Sequence, residues 1–286
     1  MAGWDDGRNE DMSTLAQHQR HIDALHDIRD IMSASKNISL METQRLRRFL
    51  ANQHRAMDSI EHALGDFLGH FALNLPWRDT DTDIVLLVGS ERGFCGDFNE
   101  SLLNYLEPAA QQGRLIAVGE KLISKLDDLQ IEAEAVTGLS TVEDVSQTIL
   151  TIVDKLRDLT SHYGSIKLTF IHHYYDGKTF EVRRHQPFRH LASAERRHGY
   201  PPLLNIEPEA FFPQLLDHYL FAILHDVLYG SLAAEHQQRL QHLQGAIEHI
   251  DRQCATMEQR YNNLRQELIT EEIELIILSA EAYMRE

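Results

Sequence analysis

With 286 residues, 44 acidic against 27 basic side chains and a formal net charge of −17, the chain lacks the Lys and Arg clusters that neutralise phosphates. The longest basic clusters are Arg45, Arg47 and Arg48 and the pair Arg196-Arg197, which argues against nucleic-acid binding. Its apolar content of 43% suffices for a buried core, but no apolar run reaches the ~18 residues of a membrane-spanning helix, and no signal peptide is recognised.

Residues 1–12 are polar and acidic and are expected to be disordered. From Ser13 to Leu75 no proline occurs, which predicts an N-terminal shaft helix over 13–75, ended by Pro76. Along it Leu46, Leu50, Gln53, Met57, Ile60, Leu64, Phe67 and Phe71 alternate in steps of four and three, the a/d pattern of a coiled coil with one polar interruption. The pattern then changes, and an α/β domain is predicted over 76–205. Asp83–Gly89 is a short apolar run bounded by turn residues, the mark of a strand buried on both faces. Arg114–Gly119 repeats it and leads into a helix over Glu120–Leu126. Ile131–Val136 is a weaker strand, and Thr141–Ser161 is a helix with Val142, Val145, Ile149, Ile152, Val153 and Leu156 on one face. Ser165–Tyr175 and Lys178–Phe188 read as a hairpin turning at Asp176-Gly177. Alternating strands and helices closed by a hairpin predict an α/β sheet with an antiparallel edge.

Residues 189–205, with Gly199, Pro201 and Pro202, read as a loop before a C-terminal shaft helix over 206–286. No proline follows Pro213, and Gly230 and Gly245 are the weak points of a helix that would extend about 110 Å if continuous. Leu240, Leu243, Ile247, Ile250, Cys254, Met257, Tyr261, Leu264 and Leu268 hold a 3-4 spacing without a slip. A seam that long needs a partner helix, and the seam at 46–71 is the expected one.

Cys95 and Cys254 lie far apart without CxxC spacing, so they form no disulfide framework and suit a reducing compartment. Seventeen histidines include His18 and His21, His172-His173, and His185, His190 and His198, but none shows HExxH or Cys/His ligand spacing. No metal and no cofactor is expected. The strand ending at Gly89 runs into Ser90-Glu91-Arg92-Gly93-Phe94-Cys95-Gly96-Asp97-Phe98-Asn99. Glycines after a first strand can cradle phosphate at a helix N-terminus. This run lacks the lysine of GxxxxGK[ST] and the spacing of GxGxxG, so it reads as a tight strand-to-helix turn, with an anion-binding loop as the alternative. That alternative belongs to an α/β enzyme with a coiled-coil arm, in which Cys95 is the only candidate nucleophile.

Taken in order, these segments resemble the gamma subunit of F-type ATP synthases. Ser90–Asn99, with Arg92, Gly93, Cys95, Gly96 and Asn99, is similar to that family's RGxCGxxN turn. Ile206-Glu207-Pro208 followed by Leu215–Leu220 resembles its FEP…LLxxYL lead-in, and Ala234–Leu240 its SEHxxRM segment. Tyr261–Ile273 resembles its YNRxRQxxITxEI ending. The resemblance covers about Leu25 to the C-terminus. It implies a long antiparallel coiled coil of the two terminal helices around an inserted Rossmann-like α/β domain. It also implies a central-stalk rotor that couples ion-driven ring rotation to ATP synthesis or hydrolysis, without a catalytic or nucleotide site of its own. The implied partners are the alpha and beta subunits of the catalytic hexamer, the epsilon subunit and the membrane c-subunit ring. The implied place is the cytoplasmic face of the bacterial inner membrane, held through those partners. Arg265, Gln266, Thr270 and Glu272 are the implied rotor–hexamer contact. Departures from the pattern are acidic: Asp30 and Ser33 replace an Asn and a central Lys in the first helix, Asn263 stands where Arg is usual, and Gln241–Ala246 replaces MxAMxNA. They suit a divergent member, such as one from a second F-type ATPase, or a gamma-like assembly or inhibitory partner that does not rotate.

Overall fold

The computed structural model describes residues 3–71, 82–106, 114–163, 166–175, 180–187 and 199–284. Helix α1 spans Gly3–His70 and α5 spans Pro208–Tyr283; between them lie β1 (Thr82–Val88), α2 (Phe98–Leu103), β2 (Arg114–Val118), α3 (Glu120–Asp128), β3 (Glu134–Val136), α4 (Asp144–Tyr163), β4 (Ile166–Tyr175) and β5 (Phe180–His185). The chain divides into two units, Ile38–His242 and the combined segments Met1–Asn37 and Leu243–Glu286.

In the first unit the strands form one sheet in the order β3-β2-β1-β4-β5. β1 pairs in parallel with β2 and β4, and β5 pairs antiparallel with β4, so the expected antiparallel edge is present. The Asp176-Gly177 turn lies outside the described residues. Central position explains why β1 reads as an unbroken apolar run: Ile84, Leu86 and Val88 enter one core while Val85 and Leu87 enter another. The first core is covered by Leu46–Phe67 of α1, Val145–Leu159 of α4 and Phe212–Ala233 of α5. The second is covered by Phe98 and Leu102 of α2 and Leu122 and Leu126 of α3. Gly89 permits this packing, because a Cβ there would sit 2.6 Å from Leu122 Cβ. From Val227 to His236 every residue of α5 is buried, Ser231, Glu235 and His236 included, which explains why this segment lacks the exposed polar stripe of a surface helix. Gly230, expected to be a weak point, lies inside the helix and lets Tyr174 Cδ2 approach to 3.2 Å of where a Cβ would be.

Several boundaries differ from expectation. α1 begins at Gly3, inside the segment expected to be disordered, with no proline to stop it and Gly7 accommodated within the helix; it ends at His70, before residue 75. β3 is shortened to three residues. α4 starts at Asp144 rather than 141, because the Asp144 carboxylate accepts the Ser140 and Thr141 amides (3.0 and 2.8 Å) and holds them in a loop. α5 starts with Pro208 at its first position, where the missing N–H costs nothing, rather than at 206.

The pairing of the two helices also differs. Within the first unit, α1 meets the early part of α5: Gln53 Nε2 donates to the Ala222 carbonyl (2.7 Å), and the Phe67 ring packs on Phe211 and Phe212 with centroids 5.4 and 5.8 Å apart. The 46–71 seam therefore faces residues 211–233, and the 240–268 seam has a different partner. In the second unit Leu243, Ile247, Ile250 and Cys254 are buried, and Met257, Tyr261, Leu264 and Leu268 half-buried. Their partners lie on α1, where Leu15, His18, Ile22, Leu25, Arg29, Met32 and Lys36 continue the 3-4 spacing and none is fully exposed. Arg29 Nε donates to Asp251 Oδ1 (2.6 Å), Lys36 Nζ to Gln244 Oε1 (3.0 Å), and His26 lies 3.6 Å from Glu258. Rising numbers on α1 meet falling numbers on α5, so the pair is antiparallel. The heptad was hidden in the sequence because His18, Arg29 and Lys36 occupy seam positions, their long or amphipathic stems covering apolar surface while the polar ends reach the edge.

Candidate functional site

Two places carry the residues singled out from the sequence: the turn after β1, in the first unit, and the far end of α5, in the second. In the turn, Asn99 staples both ends, accepting from the Ser90 amide (3.0 Å) and donating to Ser90 Oγ (2.9 Å). Gly96 takes a φ of +60°, a conformation that glycine adopts without penalty. Gly93 has open space and no positive φ, so nothing local demands glycine there.

The loops at the carboxyl ends of parallel strands are where α/β sheets take ligands. Here the chain's own carboxylates occupy those backbone donors. Glu235 of α5 accepts from the Glu91 and Arg92 amides (both 3.3 Å). Glu91 accepts from Glu120 and Gly138 (both 2.9 Å), and Asp144 from Ser140 and Thr141. Arg239 completes the clamp: it pairs with Glu235, donates from Nε to the Gly93 carbonyl (3.1 Å), and is 4% exposed. Two segments read separately in the sequence are thus one docking joint. Cys95 lies beneath it, with Sγ 3.4 Å from the Gly93 carbonyl. Burial, reinforced by the nearby Glu235 charge, pushes its thiol up to about 12. It stays protonated and is no nucleophile at neutral pH.

Glu235 and Arg239 were assigned no role from the sequence, although one signal was present. A Glu and an Arg four residues apart just after Ser231-Leu232-Ala233-Ala234 have the spacing of a helical ion pair in a buried setting. His236, between them, is also buried, and desolvation, with Arg239 next, lowers it to about 4. His172 of β4 is lowered by burial to about 3. Both histidines are held neutral, so their contribution to stability is complete above the unfolded histidine value near 6.5 and is lost as pH falls toward those folded values. Urea titrations are expected to show a loss on the order of 3 kcal/mol for each of the two histidines between about pH 6.5 and pH 4. A flat profile over that interval contradicts it.

In the second unit the coiled coil has two unlike flanks. One is zipped by Arg29–Asp251, Lys36–Gln244 and His26–Glu258. The other is an open groove of about 460 Å³, lined by His21, Leu25, His249, Arg252, Met257 and Arg260, among others. Beyond Leu268 the seam ends. Arg265, Gln266, Thr270 and Glu272 are all exposed, and Thr270 Oγ1 donates to the Gln266 carbonyl (2.9 Å). Ile269, Ile273, Leu275, Ile276, Ile277 and Leu278 are exposed as well, Ile276 at 62% and Leu278 at 63%. Apolar side chains of this size, exposed around the helix, mark a surface that another protein covers.

Among the described residues no helix is long and apolar enough to cross a membrane, and no group of three or more metal-ligating side chains converges. The family model described as "ATP synthase" matches residues 14–283. The ATP synthase gamma chain of Clostridium perfringens is 22% identical over 283 residues, covering 94% of this chain and 98% of the relative. That of Akkermansia muciniphila is 26% identical over 287 residues, covering 87% and 95%. Among solved structures, a chain of the Euglena gracilis mitochondrial ATP synthase, in an OSCP/F1/c-ring assembly, shares the fold with a TM-score of 0.68 and 16% identity, each chain covered to 95%.

Proposed function

We infer that this chain, which belongs to the ATP synthase family, acts as the central-stalk gamma subunit, converting rotation of a membrane ring into conformational change in the catalytic hexamer. The observation that carries the mechanism is the end of α5, where a helix leaves its two-stranded seam and exposes apolar side chains on every side. An apolar tip of this kind suits a close-fitting sleeve in which it turns without fixed polar bonds to hold it. An asymmetric shaft presents a different face to each of several equal sites. A partner shifts a conformational equilibrium only by such differential contact. The two unlike flanks of the coiled coil supply that asymmetry: one is closed by interhelical pairs, the other open and basic.

The subunit does this as a non-catalytic member of the complex. Support comes from the turn after β1, whose amides are taken by Glu235, and from the inert Cys95 thiol. Its partners are alpha and beta subunits around α5, with epsilon and the c-ring at the α/β domain; the related Euglena structures contain F1 and c-ring. Attachment to the membrane is peripheral, through those partners, at the cytoplasmic face in a bacterium.

Arg265, Gln266, Thr270 and Glu272 form the polar grip on the hexamer. Their support is exposure on the helical segment that follows the seam, together with the match of Tyr261–Ile273 to the family's ending. Replacing Arg265, Gln266 and Thr270 together by Ala removes donors worth about 0.5–3 kcal/mol each. Solubility and helicity should be unchanged, because the positions are exposed and Ala is a good helix former. ATP turnover by the reconstituted complex should fall about tenfold, the equivalent of ~1.4 kcal/mol in the coupled step. Wild-type turnover and torque in the triple variant would show that the shaft grips elsewhere. A wild-type chain that assembles with the hexamer but never rotates would favour the assembly-partner reading.

A further inference from the structure

The open flank of the coiled coil in the second unit carries a pattern that the shaft's own packing does not use. Its groove of about 460 Å³ has no carboxylate among its lining residues, although the chain carries 44 acidic side chains. Arg252 and Arg260 edge it, and among the described residues neither guanidinium has a hydrogen-bond or ion-pair partner. The row along this edge of α5 continues past the groove. His249, Gln253, Thr256 and Arg260 are spaced 4-3-4; beyond Asn263, Glu267, Glu271, Glu274 and Leu278 are spaced 4-3-4 again. Steps of three and four keep to one side of a helix, and every one of these positions is exposed, beside the seam and not in it. About the midpoint between Asn263 and Leu264 the row mirrors itself: Arg260 stands opposite Glu267, Thr256 opposite Glu271 and Gln253 opposite Glu274. One half is basic and polar and the other acidic. Glu267, Glu271 and Glu274 also have no partner among the described residues.

We propose that this edge pairs with the same edge of a second copy, giving a two-fold, antiparallel dimer of the free chain centred at residues 263–264. A two-fold axis brings residue i of one copy to j of the other and j to i, so only a self-complementary surface closes. Antiparallel α5 helices meet that condition. Arg260 reaches Glu267 of the second copy and Arg252 reaches its Glu274, each contact being made twice. Leu278, 63% exposed, arrives at the end of the groove beside His249. Asn263 lies near the axis and faces its own counterpart; an amide both donates and accepts, whereas a cation there would set like charges together. A small anion would satisfy the basic half of the row and leave the acidic half unexplained. The match over about 43 Å of helix selects a second copy. The −17 charge of each copy opposes association at long range. At physiological ionic strength the screening length is about 8 Å, so charges in contact keep their attraction while distant ones lose their repulsion. Pairing also covers part of the apolar end of α5 in a chain that has not joined other subunits. On the function proposed above, the hexamer covers that same end, so pairing and assembly exclude each other; the dimer itself does not depend on that reading.

Sedimentation equilibrium of the full chain near physiological salt tests the pairing. Wild type should be a monomer–dimer mixture with a dissociation constant on the order of 10 µM, in keeping with a small interface. Arg252→Glu with Arg260→Glu makes the row acidic throughout, and Glu267→Arg with Glu274→Arg makes it basic throughout. Each double variant alone should be monomeric at ~100 µM, a loss of at least about tenfold in affinity, and an equimolar mixture of the two should form a one-to-one dimer. The changed positions are exposed, so circular dichroism should show the same helicity in all of them. Register is read separately by a cysteine cross-link formed in dissolved oxygen. Asn263→Cys should link two copies, while Ser279→Cys, about 23 Å along the helix from the axis, should not. Cys95 and Cys254 are buried and add little background. A wild-type monomer at ~100 µM would leave the groove to another protein or a small anion and overturn the pairing. So would a dimer that both charge reversals leave intact, reversed variants that do not combine, or equal cross-linking at the two cysteine positions.

Discussion

Arg239→Met is expected to lower the unfolding free energy by about 3–5 kcal/mol. The guanidinium is 4% exposed and makes three contacts: Glu235, His236 Nδ1 at 3.2 Å and the Gly93 carbonyl at 3.1 Å. Removing it strands the Glu235 carboxylate, which is 3% exposed and already raised by burial. Glu235→Gln with Arg239→Met should cost less than the sum of the single changes, because the pair leaves together. Urea titration followed by circular dichroism measures all three. A single-variant loss below about 1 kcal/mol would mean that the joint is held by its apolar surroundings and not by the clamp. The consequence for coupling is mechanical, since the clamp binds the turn after β1, and with it the sheet, to α5.

Leu243→Asp comes second, at about 3–4 kcal/mol, and acts in the other unit. Leu243 is 0% exposed in the seam between α5 and α1, and an aspartate there is either buried without a partner or forces the helices apart. Ile276→Asp is the control: at 62% exposure it should change stability by less than about 0.5 kcal/mol. In the assembled complex the order should reverse in one respect. Ile276→Asp, harmless in the isolated chain, places a charge in the surface we propose the hexamer covers and should reduce turnover. Equal stability of wild type and Leu243→Asp would remove Leu243 from the seam.

Local chemistry explains what was legible in advance. Val85–Val88 and Ile116–Val118 read as strands because a strand buried on both faces needs apolar residues without alternation, and few other elements produce that run. The 240–268 spacing read as a seam because every third or fourth residue of a helix returns to one face. The antiparallel edge was legible for a similar reason, since a parallel continuation needs a crossover longer than the stretch between β4 and β5 allows.

Partnership was not legible, because it is a property of space and not of spacing. Two apolar seams, at 46–71 and 240–268, look like natural mates; the antiparallel path of the chain instead sets the first against 211–233 and the second against a stretch of α1 interrupted by His18, Arg29 and Lys36. Likewise, the Ser90–Asn99 turn and the Glu235–Arg239 pair are each visible in the sequence, while 135 residues lie between Asn99 and Glu235. Composition and period determined most of the elements and the 240–268 heptad, since each depends on neighbours a few residues apart. Tertiary structure alone decided that a carboxylate from α5 fills the strand-end amides where a ligand would sit, and that His54 faces Asp226, because those contacts exist only after folding brings distant segments within 4 Å.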